Sequence, residues 1–592
     1  MFRVHALSLV TALLSLLAPV CRAQHAFGST LLYNLGFYGL FPRTWYKSFD
    51  LGSPLLHFLQ WDVKCENGYY LLAPRGSYVE NPGPVILDAR GNLVWTDDQF
   101  GMVTDVKTQV YKGKQYLTFW AGQNGRLRFG YGMGKYYMLD ENYQVFKIVE
   151  AVGEGFTGDL HEFHITDAGT ALMTSYHPVS GDLSPVGGRK EGWIQESMFQ
   201  EIDIETGELI FEWRASEHVP LEHTLYPYSE DSESNNGLSP PYAFDFFHIN
   251  SVDKDSKGNY YISSRHMCAI FCVSPAGEMI WVLGGPHNEF KDLSDGRATD
   301  FRYQHHARLH ENNTISIFDN NHSDTYSGDR SRGMIISIDT NQMTATLEHE
   351  YIDSVYPQLA ESQGSMQKID DTDNVLVGFG FLPAFTEFST DGQVLCDARF
   401  ASWIPSHTGM VNSYRTFKTT TWVGKPTFPP SIFLRPSEGT LFASWNGATE
   451  IDRWVLQGGE WDAVEQDRLE DLDEQEKDEF EVAFQIDSDM PDYLRVAAVA
   501  ANGEVLGHTE VVSRAVGNAP HVTQVRNILV TLGVCVAVIL VLAYPMRRTL
   551  ANALRTHSVT ELLNPVRMVY GWRNKAKMGR AKAHELEPLY ED

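Results

Sequence analysis

The sequence predicts an all-β body. Short runs rich in Val, Ile, Tyr, Phe and Trp recur along the chain, turn signals separate them, and no apolar pattern of helical period lasts more than a couple of turns. The turns are Asp-x-x-Gly or close variants: Asp88-Ala-Arg-Gly91, Asp167-Ala-Gly169, Asp203-Ile-Glu-Thr-Gly207, Asp255-Ser-Lys-Gly258, Ser274-Pro-Ala-Gly277, Asp370-Asp-Thr-Asp373 and Thr390-Asp-Gly392. Such spacing over about 400 residues favours radial repetition, a β-propeller over residues 24–430, above one closed barrel. A pair of stacked sandwiches is the alternative.

The composition changes after Lys425-Pro-Thr-Phe-Pro-Pro430. Over residues 431–515, Leu441-Phe-Ala-Ser-Trp445, Trp454-Val-Leu456, Phe480-Glu-Val-Ala-Phe484 and Tyr493-Leu-Arg-Val-Ala-Ala-Val-Ala500 read as strands of a small β-sandwich. Residues 460–481 between them are strongly acidic and read as a solvated loop or insertion.

Both ends carry targeting signals. Arg3 precedes an apolar run over 6–20, and Cys21-Arg-Ala23 offers small residues for cleavage, so residues 1–23 read as a secretory signal peptide. Residues 528–546 are uncharged and apolar, long enough for one transmembrane helix. Arg547 and Arg548 follow at once, and the tail 547–592 adds Arg555, Arg567, Arg573, Lys575, Lys577, Arg580 and Lys582. A basic tail of this kind is cytosolic, which makes the chain a single-pass type I membrane protein of the secretory pathway or cell surface, its body lumenal or extracellular.

The formal net charge is -29 although both ends are basic, so the body is still more acidic and nucleic acid is excluded as a partner. Cys65, Cys268, Cys272 and Cys396 fall in an oxidising compartment, where up to two disulfides can form. Cys268 and Cys272 lie four apart on an apparent strand, about 13 Å, too far to bridge each other. If they are bridged, their partners are Cys65 and Cys396. Asn312-Asn-Thr and Asn321-His-Ser are glycosylation sequons, and their nearness to His305 places them at a loop rim.

The stretch from Asp245 to Asn320 concentrates histidines, an arginine and hairpin turns. Residues equidistant from a hairpin turn face each other, so the turn centred near Lys257 puts His248 opposite Arg265. The turn at Glu311 puts His305 near Asp319 and Asn320, and the turn at Asp167 puts His161 near Ser175. Three histidines thus share one hairpin position, at the ends that converge if the hairpins belong to different propeller blades. A single histidine is ordinarily a surface or satisfied core residue; the shared position raises His161, His248 and His305, and the facing position raises Arg265. His161-Glu-Phe-His164 and His306-x-x-x-His310 have metal-ligand spacings, but on a strand i and i+3 point to opposite faces. No His-Glu-x-x-His, phosphate-cradling glycine loop or sulfatase-type cysteine motif is present in the sequence.

The ordered set Asp245-Phe-Phe-His248-Ile-Asn-Ser, Ser263-Ser-Arg265-His266, Trp281-Val-Leu-Gly-Gly285, Gln304-His305-His-Ala, Phe318-Asp-Asn320 and Glu361-Ser-Gln-Gly364 resembles the arylsulfotransferase (arylsulfate sulfotransferase) family, especially its fungal, membrane-anchored branch; His161-Glu-Phe and Ser444-Trp-Asn-Gly-Ala-Thr449 fit too. The resemblance covers roughly residues 60–515. It implies a six-bladed propeller followed by a fibronectin type III-like sandwich. It also implies sulfuryl transfer from an aryl sulfate to a phenol without nucleotide, metal or other cofactor, through a sulfated histidine. By resemblance His305 is that nucleophile, with adjacent His306 as the alternative. His248 and Arg265 then hold the sulfuryl oxygens, and His161 serves the phenol oxygen. A catalytically silent propeller that binds a protein partner through its acidic insertion is the competing expectation.

Overall fold

The computed structural model describes residues 27–516 apart from 66, 125–129 and 371. The expected signal peptide, transmembrane helix and basic tail lie outside the described residues. Among the described residues no helix is long and apolar enough to cross a membrane. The fold is nearly all β: the α-helices, such as Thr30–Asn34 and Trp403–His407, hold five residues or fewer.

Six sheets of four or five strands, antiparallel except where the short strand Lys291–Asp292 runs parallel to Thr344–Tyr351, account for most of the described chain. Sheet A starts with β1 (Val103–Tyr111), B with β2 (Phe163–Ile165), C with β3 (Ile249–Lys254), D with β4 (His305–His310), E with β5 (Ser365–Lys368), and F with β6 (Phe417–Thr419). Sheets A to D are each built from a continuous stretch of chain. E takes its outermost strand, His57–Gln60, from the N-terminal region, and F takes Tyr69–Leu72, Val85–Asp88 and Leu93–Thr96.

Each sheet shares a dry core with the next, and the last with the first. Phe199 and Trp213 of B pack with Val252, Ile262 and Phe271 of C. Ile270 and Leu283 of C pack with Ile315, Ile317 and Ile336 of D. Cores of the same kind join D to E, E to F, F to A and A to B. Being covered on both faces explains why Tyr260–Ser264 and Ala269–Val273 are buried at every position rather than alternating.

The turn chemistry is local. At Asp255 one carboxylate oxygen accepts the N–H groups of Lys257 and Asn259 at 2.9 and 2.8 Å, while Gly258 takes φ +88°. Asp88 does the same for Arg90 and Asn92.

Residues 431–513 form two sheets around Leu441, Trp454, Leu456, Phe484 and Val496. The acidic segment expected to be a loop instead supplies the short helix Trp461–Glu465 and the edge strand Glu470–Glu476, paired with Arg453–Gly459. Its acidic side chains stay in water while its backbone completes the sheet.

The pairing that the sequence leaves open is resolved to one bridge among the described residues. Cys65 pairs with Cys396, leaving Cys268 and Cys272 as buried thiols in the described chain.

Candidate active site

The first strands of the six sheets run side by side, and both of their ends border cavities. At their N-terminal ends a cavity of about 600 Å³ is lined by Met102, His161, His248, His305, Gln363 and Tyr414, one position from each sheet's entry. At their C-terminal ends a cavity of about 810 Å³ is lined by Gln109, His164, Asp253, Arg308, Lys368 and Thr419. Between them lies a buried charge network. Glu162 pairs with Arg308 at 2.7 Å, and with Lys107 and Arg415 at 3.3 Å, while Asp105 pairs with Lys107 at 2.7 Å and Arg415 at 2.8 Å.

His161, His248, Arg265 and His305 all line the first cavity, so the four residues singled out in the sequence come together. The His161 and His248 rings stand edge to face at 5.0 Å. Arg265 faces His248 as the hairpin arithmetic requires: its N–H donates to the His248 carbonyl at 2.9 Å. Bulges interrupt β1, β3 and β4 near this end, at Thr104/Lys107, Ile249/Ser251 and His305/Arg308. The bulge in β4, with His306 at φ +54°, separates the two adjacent histidines. His305 borders the first cavity; His306 borders the second and engages the Met366 carbonyl through Nδ1 at 2.9 Å.

Hydrogen-bond partners assign the tautomers. His305 Nδ1 lies 2.7 Å from Asn320 Oδ1 and 3.1 Å from the Tyr303 carbonyl. The Asn320 amide nitrogen already donates to the Ala360 and Gln363 carbonyls, so its oxygen must accept. Nδ1 therefore carries the proton, and Nε2 keeps its lone pair, accepting the Gln363 N–H at 3.2 Å. Burial, reinforced by the Arg265 charge, holds His305 well below the usual histidine range, so the ring is neutral.

His161 and His248 are backed by carboxylates instead. Each donates Nδ1–H at 2.5 Å, to Asp159 and Asp245 respectively. Burial pushes both carboxyls up, but the histidines outweigh it and hold them below their ordinary range. Burial lowers His248 despite Asp245.

Arg265 is 8% exposed. It donates NH1 to His266 Nε2 at 3.0 Å and NH2 to the Glu361 carbonyl at 3.2 Å, and its Nε is buried without a partner among the described residues. No carboxylate pairs with it there. A second buried arginine, Arg75, lines the same cavity on Asn412 Oδ1 at 2.9 Å, with burial lowering it to about 10. Carboxylates on the lining are either engaged, like Asp245, or nearer the rim, like exposed Asp324.

His266, Arg75, Asn320 and Gln363 were not singled out as site residues. His266, Asn320 and Gln363 all sit inside the motifs that carry the family resemblance, which is the signal that points to them. Arg75 comes from the chain just after Tyr69–Leu72 of sheet F, far in sequence from the candidate histidines.

The metal-like spacings do not assemble a ligand set: His164 lines the second cavity, away from His161, and His306 and His310, which both line that cavity, are not in the one group of three clustered donor residues found among the described residues. Asp245, His248 and His266 have donor atoms within 4.8 Å of one another. Their lone pairs are largely committed, though: His266 Nδ1 is on the Asp245 carbonyl and its Nε2 on the Arg265 guanidinium. A cation there would sit against Arg265.

The sequons fall apart too. Asn312 is exposed at the turn after β4, the end opposite His305, while the Asn321 amide donates to the Arg330 carbonyl at 3.2 Å.

A closed series of sheets around a cavity of backed histidines and two buried arginines without carboxylate partners among the described residues defines a propeller-like β protein with a histidine- and arginine-lined site. Residues 107–401 match the model of the arylsulfotransferase (ASST) family. The match suggests aryl sulfotransferase activity, with aryl sulfates as donors and phenols as acceptors in general. It spans His161, His248, Arg265, His305, Asn320 and Gln363, but not Arg75 or Tyr414. No curated protein matches the chain. Solved structures similar to it include a Bacteroides caccae protein of unknown function, at 11% identity over 60% of this chain and 100% of that one with a TM-score of 0.35. The Pseudomonas aeruginosa periplasmic gluconolactonase PpgL matches at 12% identity over 75% and 96%, TM-score 0.29. Saccharomyces cerevisiae Sqt1 matches at 13% over 55% and 69%, TM-score 0.27.

Proposed function

We propose that the protein is a nucleotide-independent aryl sulfotransferase working through a sulfohistidine on His305, in a six-bladed propeller followed by a fibronectin type III-like sandwich. The observation that carries this reading is Arg265: a buried guanidinium with no carboxylate partner among the described residues and an orphan Nε, on the same cavity as a neutral His305 whose Nε2 carries no proton. Such an arginine is a ready anion seat, since its planar fork suits tetrahedral oxyanions.

The steps balance without a further reactant. His305 Nε2 attacks the sulfur of the donor, the N–S bond forms and the S–O(aryl) bond breaks. His161, its Nδ1–H committed to Asp159, acts as the acid and gives its Nε2 proton to the leaving phenolate. In the second half the now neutral His161 takes the proton of the incoming phenol, whose oxygen attacks sulfur and frees His305. Arg265 and His248 hold the equatorial oxygens, where charge is spread during transfer. With Nδ1 committed to Asp245, His248 donates to the sulfuryl group only when protonated. The entering anion supplies the charge that favours that form.

The body is assigned to the lumenal or outer side of a membrane. The apolar segments 6–20 and 528–546 and the arginines after the latter support this, and the Cys65–Cys396 bridge suits an oxidising compartment.

Incubation with a chromogenic aryl sulfate and no acceptor should label His305 with sulfate, which a phenol then removes. His305→Ala should abolish labelling and transfer, and Arg265→Ala should slow transfer about 10²- to 10³-fold. Labelling that persists in His305→Ala, or unchanged rates in both variants, rejects the proposal.

A further inference from the structure

The mouth of the first cavity borders an uncharged surface. Residues 27–42 and 400–414 contain no Asp, Glu, Lys or Arg, in a chain of net charge -29. The two segments touch: Ser402 donates its N–H to the Leu40 carbonyl at 3.0 Å. On them Leu31, Leu35, Phe37, Trp403 and Ile404 stand 67, 59, 61, 52 and 47% exposed. Five large apolar side chains in one neighbourhood differ from the singly scattered exposed residues found on any surface. The patch runs to the cavity's edge. Thr408 bonds through its hydroxyl to the Ile404 carbonyl at 2.8 Å, and Thr408 and Gly409 line the cavity. At the other end of the strands the second cavity is lined by charged residues of both signs, among them Lys112, Lys254, Lys368, Asp167, Asp253 and Asp370.

We propose that this apolar surface rests on a lipid bilayer, so that the catalytic cavity opens at the membrane interface and takes amphipathic, membrane-partitioning phenols and aryl sulfates. The proposal rests on the membrane-anchored aryl sulfotransferase reading. Only about 11 residues separate the described body from the apolar stretch that begins at 528, a tether of at most about 40 Å. A body held that close meets the bilayer constantly. Trp, Phe, Leu and Ile are the side chains that partition into its interfacial layer. A patch with no charge of its own needs no partner charges to satisfy.

The full chain, with Cys535→Ser to remove the one cysteine expected in the span, is reconstituted in vesicles. It carries a single NBD-labelled cysteine at Ile404→Cys, Leu35→Cys or, as the control at the opposite end, Val110→Cys. Vesicles with nitroxide-labelled lipid should quench the first two labels at least twofold more than the third. Equal quenching at all three overturns the proposal, including the case where the label at 404 is shielded by a second copy and not by lipid. A chain that fails to float with the vesicles is recognised before any label is read; it overturns the anchor reading and the proposal with it. Ile404→Asp should raise KM for a long-chain alkylphenol in vesicles at least fivefold and leave that for a water-soluble phenol unchanged. A KM unaffected for both, in a variant that still turns over, overturns the substrate class.

Discussion

The backbone N–H of Gln363 donates to Nε2 of His305 at 3.2 Å, while Asn320 takes the proton of Nδ1 at 2.7 Å. Both nitrogens of the proposed nucleophile are thus addressed from outside its own strand, and the reactive tautomer is set before substrate arrives. Gln363 sits at φ +65° and precedes Gly364 at φ +107°. This unusual backbone aims the amide at the ring.

Removing the Asn320 amide should misorient His305 without emptying the cavity. Asn320→Ala is expected to lower kcat about 10²-fold with little change in KM for the donor, as expected when a reacting group loses its fixed geometry. Steady-state kinetics with a chromogenic aryl sulfate decides it; a changed KM with normal kcat would assign Asn320 to binding.

Donor binding should take up a proton at His248. Burial lowers this histidine, so the free enzyme holds it neutral near pH 7, whereas the bound anion favours the charged ring. KM for the donor should therefore rise with pH, and His248→Asn should flatten that rise while weakening binding. A KM independent of pH in the parent enzyme contradicts the assigned role.

Between the cavities, Glu162 answers three cations, and burial alone would push its carboxyl up; Arg308, Arg415 and Lys107 instead hold it well below its ordinary range. Glu162→Gln leaves those cations undercompensated in a dry setting and should cost about 3–5 kcal/mol. Denaturant unfolding measures it; a loss under 1 kcal/mol would mean that water reaches the network.

Acid should destabilise the fold well above the carboxylate range. His266, His305 and His306 are held well below 6.5, first by burial, with nearby cations such as Arg265 at His305 and Arg308 at His306 adding to it, and at His266 against the opposing pull of Asp245. Above 6.5 neither folded nor unfolded chain protonates them. As pH falls below 6.5 the unfolded chain gains protons that the folded one refuses, so stability drops by about 1.4 kcal/mol per pH unit per histidine. Asp159 and Asp245 add their own loss only below about 3.8, as pH falls toward their depressed values. His306→Gln should make the slope shallower by one histidine's share. Unfolding curves that coincide at pH 5 and pH 7.5 would refute this.

Much of the site was legible because hairpins obey arithmetic. His248 opposite Arg265, and His305 beside Asn320, follow from counting outward from a turn, and both contacts are present. What counting could not reach was irregular or remote. The bulge after His305 breaks strict alternation, so the destinations of His305 and His306 depend on one residue with positive φ. Arg75 enters from a strand region more than 80 residues before the first candidate histidine. The Cys65–Cys396 bridge spans a separation of 331, beyond any local signal. The strand Glu470–Glu476 hid behind its charge, because an edge strand needs only its backbone and one partner.

Sheets E and F each combine early and late chain. Thr419 pairs with Tyr69, about 350 residues earlier, and Arg399 pairs with His57. During synthesis the early strands must therefore wait, edges unpaired, until almost the whole body has left the ribosome. Long-range pairing of this kind is slow and exposes strands to wrong partners. A stop or deletion anywhere before 419 would yield not a smaller working protein but an unclosed one, a natural client for chaperones and degradation.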